Sequence, residues 1–210
     1  MTFQNQSQEL VDSFFSIINR QYVPDDVIDA EVFNSSFYVD MHNSSEMYQQ
    51  NNWFGDKYIE ILKQNNFKTV FELGSGNGLA TKKLSTFCDK VISCDWNPNP
   101  YCSLENIDFH NCSLFDLPRG ITADVSISAD VIEHFPQDKL HKLCGRLDNI
   151  APNGLHIIAG YADGTSHLSV LSPWDWLKIF RCFDEKYRLI EIDARRGNWK
   201  TPVFVFSNFL

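Results

Sequence analysis

The 210-residue sequence lacks the features that mark membrane, secreted and disulfide-rich proteins. It has no run of eighteen apolar residues, and its first residues show no basic segment followed by a hydrophobic one, so we predict neither a membrane span nor a secretion signal. Its six cysteines form no C-x-x-C pair and no dense framework. This pattern predicts reduced thiols in a cytoplasmic protein, without structural disulfides and without a metal site.

Basic side chains are also scarce. The chain has 18 Lys and Arg against 27 Asp and Glu, and residues 1–66 hold ten carboxylates but three basic side chains. Such an acidic surface repels a phosphate backbone, so nucleic acid is disfavoured as a partner. With 43% hydrophobic residues the chain can form one compact domain with an appended segment. We predict a helical cap or lid over residues 1–66 and a main domain over 67–210.

The order of the elements predicts an α/β fold. Apolar side chains recur at helical spacing from Leu10 to Ile18, an irregular stretch follows around Pro24, and the next helix is predicted over 53–64. From Phe67 onward strands alternate with helices, which predicts a doubly wound, mostly parallel sheet. The predicted strands are 69–73, 91–95, 107–111, 124–128, 154–159, 186–193 and 201–208, and the predicted helices are 78–87, 137–149 and 173–182. Since no helix separates the last two strands, we expect an antiparallel hairpin at one edge.

Three alternating glycines follow the first buried strand of this domain. Gly74, Gly76 and Gly78 stand where the chain must turn into a helix, and they let a ligand approach the backbone closely. Seventeen residues after Gly78, Asp95 ends the next apolar run. An acid at that place can accept hydrogen bonds from both hydroxyls of a ribose. The segment therefore predicts a nucleotide-like cofactor.

The spacing of the glycines distinguishes between two cofactors. A dinucleotide fingerprint requires a small residue five positions after its first glycine, and this chain has Leu79 there. The P-loop pattern is absent as well. The observed E-x-G-S-G-x-G form resembles the first motif of class I S-adenosylmethionine (SAM) dependent methyltransferases. That resemblance implies the Rossmann-like fold of the family, SAM as cofactor and S-adenosylhomocysteine (SAH) as product, and it assigns cofactor contacts to Glu72, Gly74, Ser75, Gly76, Gly78 and Asp95.

The segment 111–118 resembles the part of the family that contacts adenine, with one departure. The family has an Asp that is separated by three residues from a Leu-Pro pair, and this chain has Ser113 at that position. Two assignments remain open. Asp116 supplies the adenine contact, or Ser113 binds through its hydroxyl while the amide of Leu114 serves the ring. Trp96 directly follows the ribose acid and is a candidate to cover the adenine.

The segment Asp-Val-Ile-Glu-His-Phe-Pro, residues 130–136, closely resembles one found in many small-molecule methyltransferases, including those of ubiquinone biosynthesis. It follows the fourth predicted strand of the domain, at the end where open α/β sheets place ligands. The resemblance implies that Asp130 contributes to the cofactor site. Farther on, His156 alternates with buried positions in the fifth strand, and we interpret it as a structural histidine.

The chemistry of SAM makes two histidines candidates for catalysis. A SAM methyl group is electrophilic, and a hydroxyl acceptor needs a base to become a good nucleophile. His134 belongs to the Glu-His motif and His167 to the loop after the fifth strand, so both should lie near the methyl group. The alternatives are that His134 packs beside the cofactor and that His167 braces its loop.

Aromatic and basic residues are candidates for the acceptor pocket. Tyr48, Trp53 and Phe54 belong to the predicted lid, and one of Trp174 and Trp176 should face inward. The pair at positions 195 and 196, both arginine, precedes a glycine in a predicted turn. It is either a grip for a phosphate or carboxylate or a solvated turn.

Together these features predict a methyltransferase for a small molecule, with a hydroxyl of a sugar, nucleotide-sugar or glycan precursor as the expected acceptor. Methylation of a nitrogen or a phosphate oxygen and a non-catalytic SAM-binding module remain alternatives. A nicotinamide oxidoreductase is disfavoured by Leu79. Base N-methylation of nucleic acid is disfavoured by the lack of an Asn/Asp-Pro-Pro-Tyr/Phe signature.

Overall fold

The computed structural model describes residues 35–161, 166–193 and 201–210. Six α-helices in this part of the chain are α1 (Ser35–Ser44), α2 (Glu46–Gln50), α3 (Asp56–Gln64), α4 (Leu79–Leu84), α5 (Gln137–Ile150) and α6 (Pro173–Arg181). The strands are β1 (Thr69–Leu73), β2 (Lys90–Asp95), β3 (Ile107–Asn111), β4 (Val125–Ala129), β5 (Asn153–Ala159), β6 (Arg188–Asp193) and β7 (Val203–Ser207). Two short 3-10 helices cover Leu114–Asp116 and Ile132–His134. Of the described helices, even the longest has only 14 residues, and none has the length and apolar character that a bilayer-crossing segment needs.

The seven strands form a single sheet in the order β3-β2-β1-β4-β5-β7-β6. Strands β1 to β5 run parallel, whereas β7 lies antiparallel between β5 and β6. This arrangement confirms the predicted doubly wound, mostly parallel sheet and the antiparallel pairing of the last two strands. The strand order reverses between β1 and β4, and ligands of open α/β sheets bind at the carboxyl ends of the strands beside such a reversal.

Both faces of the sheet are covered, which explains why its central strands are buried and mostly apolar. Consecutive side chains of β1 point to opposite faces, so Val70 and Phe71 belong to different core clusters. On the face of Phe71, helices α5 and α6 pack with Leu143 and Trp176. On the face of Val70, α3 packs with Leu62. Each such side chain contributes roughly 1.5–3 kcal/mol when it is fully buried.

Several predicted boundaries shift for identifiable reasons. Helix α3 begins at Asp56 and not at residue 53, because Gly55 precedes it with φ 80°, outside helical geometry. Strand β4 begins one residue after Asp124, whose carboxylate accepts the amides of Lys68 and Thr69 at 2.8 Å each and so joins the start of β1 to β4.

The helices before α3 show a larger difference from prediction. Helices α1 and α2 lie where only an irregular stretch was expected. Helix α4 is shorter than predicted, ending at Leu84 instead of residue 87. The helix predicted over 10–18 lies outside the described residues.

His156 is confirmed as a structural histidine. It is fully buried in β5, its Nδ1 lies 3.0 Å from the hydroxyl of Ser128, and its ring stacks on Phe180 with centroids 5.4 Å apart. Burial lowers the pKa of His156 from 6.5 to about 3. The folded protein therefore holds this imidazole neutral at pH values where the unfolded chain protonates it.

We expect this histidine to reduce stability in acid. The unfolded chain binds a proton at His156 below pH 6.5 that the folded protein does not bind, so the free energy of unfolding should fall as the pH drops. The double variant Ser128→Ala/His156→Phe removes both hydrogen-bonding partners and the titration. Relative to wild type, its free energy of unfolding should rise by about 2 kcal/mol between pH 6.5 and pH 4.5 in urea unfolding.

The exposed histidine of α5 gives the control for this prediction. His141→Phe changes a solvent-facing imidazole and should leave the acid dependence as in wild type. An identical pH profile for the double variant and wild type would show that His156 is not held neutral.

Candidate active site

A cavity of about 600 Å³ opens at the carboxyl ends of β1, β2 and β4, beside the reversal in strand order. Eleven of the twelve predicted site residues line it: Glu72, Gly74, Ser75, Gly76, Asp95, Trp96, Ser113, Leu114, Asp130, His134 and His167. Gly78 does not line the cavity and instead precedes α4 as its N-cap, with φ 76°. Parallel strands that end at one edge thus bring together residues up to 95 positions apart in the sequence.

The glycine turn after β1 is fixed by hydrogen bonds to the end of β2. The amide of Gly74 donates to the carbonyl of Cys94 at 2.8 Å, and the amide of Gly76 donates to Oδ2 of Asp95 at 2.8 Å. Gly74 has φ 70°, and a Cβ at this position would overlap the side chain of Val131. The turn therefore requires glycine both for its backbone conformation and for its packing against the loop after β4.

Asp95 has the environment expected of a ribose-binding acid. Besides the Gly76 amide on Oδ2, its Oδ1 accepts the amide of Asn97 at 3.0 Å. These two hydrogen bonds fix the orientation of the carboxylate at the cavity wall. A carboxylate has about four acceptor sites, so capacity for two hydroxyl donors remains.

Glu72 lies beneath the turn and is fully enclosed. Its Oε2 accepts hydrogen bonds from Thr81 at 2.6 Å and from Ser93 at 3.3 Å, which join β1 to α4 and β2. Burial raises the pKa of Glu72 to about 7, despite these hydrogen bonds, and the charge of Asp95 adds to the rise. The structure thus gives this carboxyl a bracing role, while its predicted contact with a cofactor stays a prediction.

The chain before α3 closes one side of the cavity through its contacts with Gly76 and Asn77 of the glycine turn. Asn77, which the sequence analysis did not single out, donates from Nδ2 to the carbonyls of Tyr48 and Asn51 at 2.6 and 2.7 Å. The hydroxyl of Tyr48 lies 2.6 Å from where a Cβ on Gly76 would stand. Burial raises the pKa of Tyr48, and the charges of Asp95 and Asp130 add to this effect. An asparagine inside a glycine turn is the one signal in the sequence that pointed to this link.

The structure favours one of the two adenine assignments. Ser113 and Leu114 line the cavity, whereas Asp116, although described, does not. Ser113 also caps the short 3-10 helix that follows, because its Oγ accepts the amide of Phe115 at 3.3 Å. The hydroxyl therefore stays at the cavity wall, close to the backbone of Leu114.

At the other end of the cavity, the two predicted histidines meet. Their ring centroids are 4.9 Å apart. Nδ1 of His134 lies 2.9 Å from the carbonyl of Ser166, and Nδ1 of His167 lies 2.6 Å from the carbonyl of Tyr161. A carbonyl only accepts hydrogen bonds, so each Nδ1 carries the proton and the Nε2 of a neutral ring keeps its lone pair. The residue before His134, Glu133, is fully buried and accepts a hydrogen bond from the amide of Ala159 at 3.0 Å.

The predicted aromatic residues separate into two groups. Trp96 lines the cavity and lies 5.4 Å from the ring of Tyr38, which in turn lies 5.5 Å from His134. Tyr48, Trp53 and Phe54 also line the cavity, but Trp174 and Trp176 do not. Trp176 is buried in the core against the sheet, so the inward-facing tryptophan of that pair packs in the core and not in the predicted acceptor pocket. The arginines at positions 195 and 196 lie outside the described residues.

Comparison with known proteins identifies the fold. No protein-family model matches the chain, and neither does any curated protein sequence. Among solved structures, the 1,6-didemethyltoxoflavin-N1-methyltransferase of Burkholderia thailandensis, bound to 1,6-didemethyltoxoflavin and SAH, is similar with a TM-score of 0.69 and 14% identity, over 89% of this chain and 92% of that one.

Two further structures show the same likeness. The N-methyltransferase NodS of Bradyrhizobium japonicum WM9 in complex with SAH has a TM-score of 0.55 and 13% identity, over 81% of this chain and 100% of that one. The N-terminal domain of EvdMO1, crystallised in the presence of SAH and D-fucose, has a TM-score of 0.58 and 10% identity, over 75% and 83%. The chain therefore has the Rossmann-like fold of the class I SAM-dependent methyltransferases, as predicted.

The buried Glu72 should make stability fall as the pH rises. The folded protein retains a proton on this carboxyl up to about pH 7, while the unfolded chain loses it near pH 4.5, so stability is lost between these values. Glu72→Gln keeps an acceptor for Thr81 and Ser93 but cannot ionise. Between pH 5 and pH 8 its free energy of unfolding should rise by roughly 2–3 kcal/mol relative to wild type.

Urea unfolding at the two pH values measures this change. Glu60→Gln, on the exposed face of α3, is the matched control and should follow wild type at both. If Glu72→Gln also follows wild type, the carboxyl does not hold a proton in the folded state.

Proposed function

We propose that this protein is a SAM-dependent methyltransferase that acts on a small molecule, with a hydroxyl of a sugar, nucleotide-sugar or glycan precursor as the acceptor. The main support for this proposal is a single cavity whose two ends differ chemically. At one end, the glycine turn is hydrogen-bonded to Asp95, and at the other His134 and His167 turn their Nε2 atoms away from their backbone anchors. The shared fold and the SAH found in the neighbouring structures support this proposal.

The residues at the first end fit SAM. Asp95 would hold the ribose hydroxyls, the positive-φ glycine turn allows close approach of the backbone, and Trp96 would cover the adenine. Ser113 and the amide of Leu114 would contact the adenine edge. A volume of about 600 Å³ is in the usual range for cofactor and small-molecule sites. When bound, SAM supplies a sulfonium methyl group that an acceptor oxygen can attack as the S–C bond breaks and its electron pair stays on sulfur.

The residues at the second end fit an oxygen acceptor. A hydroxyl is a poor nucleophile until its proton is removed, whereas a neutral amine already offers a lone pair. Two imidazoles with anchored Nδ1 protons present two Nε2 lone pairs at this place. An Nε2 lone pair can promote loss of the acceptor's hydroxyl proton in two ways. It can accept the proton, or it can bind a cation that lowers the pKa of the hydroxyl. Both routes favour oxygen over nitrogen.

The chain itself must decide the acceptor, because the neighbours share the fold and not the acceptor. Two of them are N-methyltransferases, and the third was crystallised with D-fucose present. We propose that the segment over residues 1–66 acts as the lid on the acceptor side. Tyr38 beside His134 and Tyr48 over the glycine turn support this role.

Cofactor binding tests the first half of the proposal. Asp95→Asn should raise the dissociation constant of SAH roughly 10- to 100-fold in calorimetric titration, because hydrogen bonds to a charged group contribute about 1.5–3 kcal/mol. Asp108→Asn makes the same change on β3, outside the cavity, where the side chain pairs with Lys90 at 2.7 Å. It should bind SAH like wild type. Absence of SAH binding by wild type, or tight NAD binding in its place, would contradict the proposal.

Turnover tests the second half. A panel of free sugars, nucleotide sugars and phosphorylated sugars is incubated with SAM, and SAH formation identifies an acceptor. With that acceptor, His134→Gln and His167→Gln should each lower the rate about 100-fold or more. Their SAH affinity should stay within about threefold of wild type, since neither contacts the ribose end. His141→Gln is the control.

The outcomes of the turnover test separate the alternatives. Full activity of both cavity variants would remove the histidines from the reaction. SAH binding without turnover of any hydroxyl, amine or phosphate acceptor would favour a non-catalytic SAM-binding module.

A further inference from the structure

Three potential metal ligands meet at the acceptor end of the cavity, where His134 and His167 line the wall and Glu133 is fully buried next to them. Glu133, His134 and His167 each offer one ligand atom, and the three atoms lie within 4.8 Å of one another. We call them the carboxylate–imidazole cluster. The sequence predicted no metal site, because its cysteines show no ligand spacing; His134 and His167, 33 positions apart, were candidates for catalysis only. We propose that this cluster binds one divalent first-row transition-metal ion, which holds and activates the acceptor oxygen.

The two histidines are already oriented as ligands. In metal sites, a coordinating imidazole commonly donates its other N–H to a carboxylate, a backbone carbonyl or water, which fixes both the tautomer and the ring direction. Here the carbonyls of Ser166 and Tyr161 accept from Nδ1 of His134 and His167. Both carbonyls belong to the chain that leaves β5, so one segment positions both rings. The Nε2 atoms are therefore the coordinating atoms.

Glu133 completes a set of three with a negative charge. Its side chain is fully buried, and the cost of burying a carboxylate is large unless hydrogen bonds or a positive charge offset it. The amide of Ala159 at the end of β5 supplies one hydrogen bond, at 3.0 Å. A cation on the cavity side would stabilise the ionised form further. The 3-10 helix Ile132–His134 contains both Glu133 and His134, so one element supplies two of the three ligands.

The donor set narrows the class of ion. Two imidazole nitrogens and one carboxylate oxygen suit Zn²⁺, Co²⁺, Fe²⁺ or Mn²⁺, whereas Mg²⁺ and Ca²⁺ prefer oxygen ligands throughout. Ligand atoms about 2.1 Å from a tetrahedral ion stand about 3.4 Å apart. From separations of up to 4.8 Å, the ligand atoms must therefore approach one another by up to about 1.4 Å on binding, which side-chain rotation can provide. Three protein ligands leave at least one position for an acceptor oxygen.

This inference rests on the proposed function only for the role of the ion, which is to activate an acceptor hydroxyl. A hydroxyl bound to a divalent ion has a lowered pKa and loses its proton to solvent, so no histidine has to accept it. Coordination uses the same Nε2 lone pair that a general base would use. The cluster and the base role are thus mutually exclusive for each ring.

Binding of Co²⁺ to chelator-stripped protein, without SAM or acceptor, tests the site directly. Visible d–d absorption and equilibrium dialysis should show one Co²⁺ per chain with inner-sphere nitrogen ligands. His167→Gln and Glu133→Gln should each weaken binding at least about tenfold, and His141→Gln should not. Circular dichroism checks that each variant is folded. If Glu133→Gln does not fold, His167→Gln alone tests whether binding depends on the cluster.

The outcomes are distinguishable from failure of the proposed function. Stoichiometric Co²⁺ binding that depends on the cluster supports the site even if no methyl acceptor is found. Lack of saturable Co²⁺, Mn²⁺ or Zn²⁺ binding by wild type, or equal binding by the cluster variants and wild type, would overturn it. Where an acceptor is known, chelation should abolish turnover and Co²⁺ or Mn²⁺ should restore it, while SAH affinity stays unchanged.

Discussion

The hydrogen bond from the Gly76 amide to the Asp95 carboxylate is the interaction on which the site depends. It joins the turn after β1 to the end of β2, the two strands that flank the cavity on the side of the proposed cofactor. Asn77, the next residue of the turn, holds the chain before α3 through two backbone carbonyls. Three hydrogen bonds, all donated by Gly76 and Asn77, therefore connect the strand ends, the glycine turn and the chain before α3. A change in any of them displaces the wall that would hold the ribose.

The sequence predicts the sheet well because the sheet is buried on both faces. Strands such as β1 are short, buried and mostly apolar runs, and their lengths and flanking turns suffice to identify them. The segment around α1 was less predictable. It is polar, its helix has little apolar periodicity, and its position depends on contacts with a turn 26 to 29 residues later in the sequence. Propensity and periodicity do not contain such information.

The candidate site likewise has one part that the sequence predicts and one part that it does not. The glycine turn and Asp95 are close in sequence and have a recognisable spacing, so their meeting could be predicted. Which of Ser113 and Asp116 lines the cavity depends on the direction of a short 3-10 helix, which no local pattern specifies. The contact of His134 with His167 depends on how the chain after β5 folds back over the sheet edge. Glu133 belongs to the Glu-His motif that the sequence shows, but its burial could not be predicted, since a surface Glu-His pair and a buried one look alike in a sequence.

Two buried polar residues on the central strands have a joint consequence for the protons of the folded protein. Between about pH 4.5 and pH 6.5, the unfolded chain carries an ionised Glu72 and a protonated His156, whereas the folded protein carries a neutral carboxyl and a neutral imidazole. Folding in this range therefore takes a proton from a residue of β5 and places one on a residue of β1, with no net exchange with solvent from this pair. On folding, this pair loses one negative and one positive charge, so its net charge is unchanged.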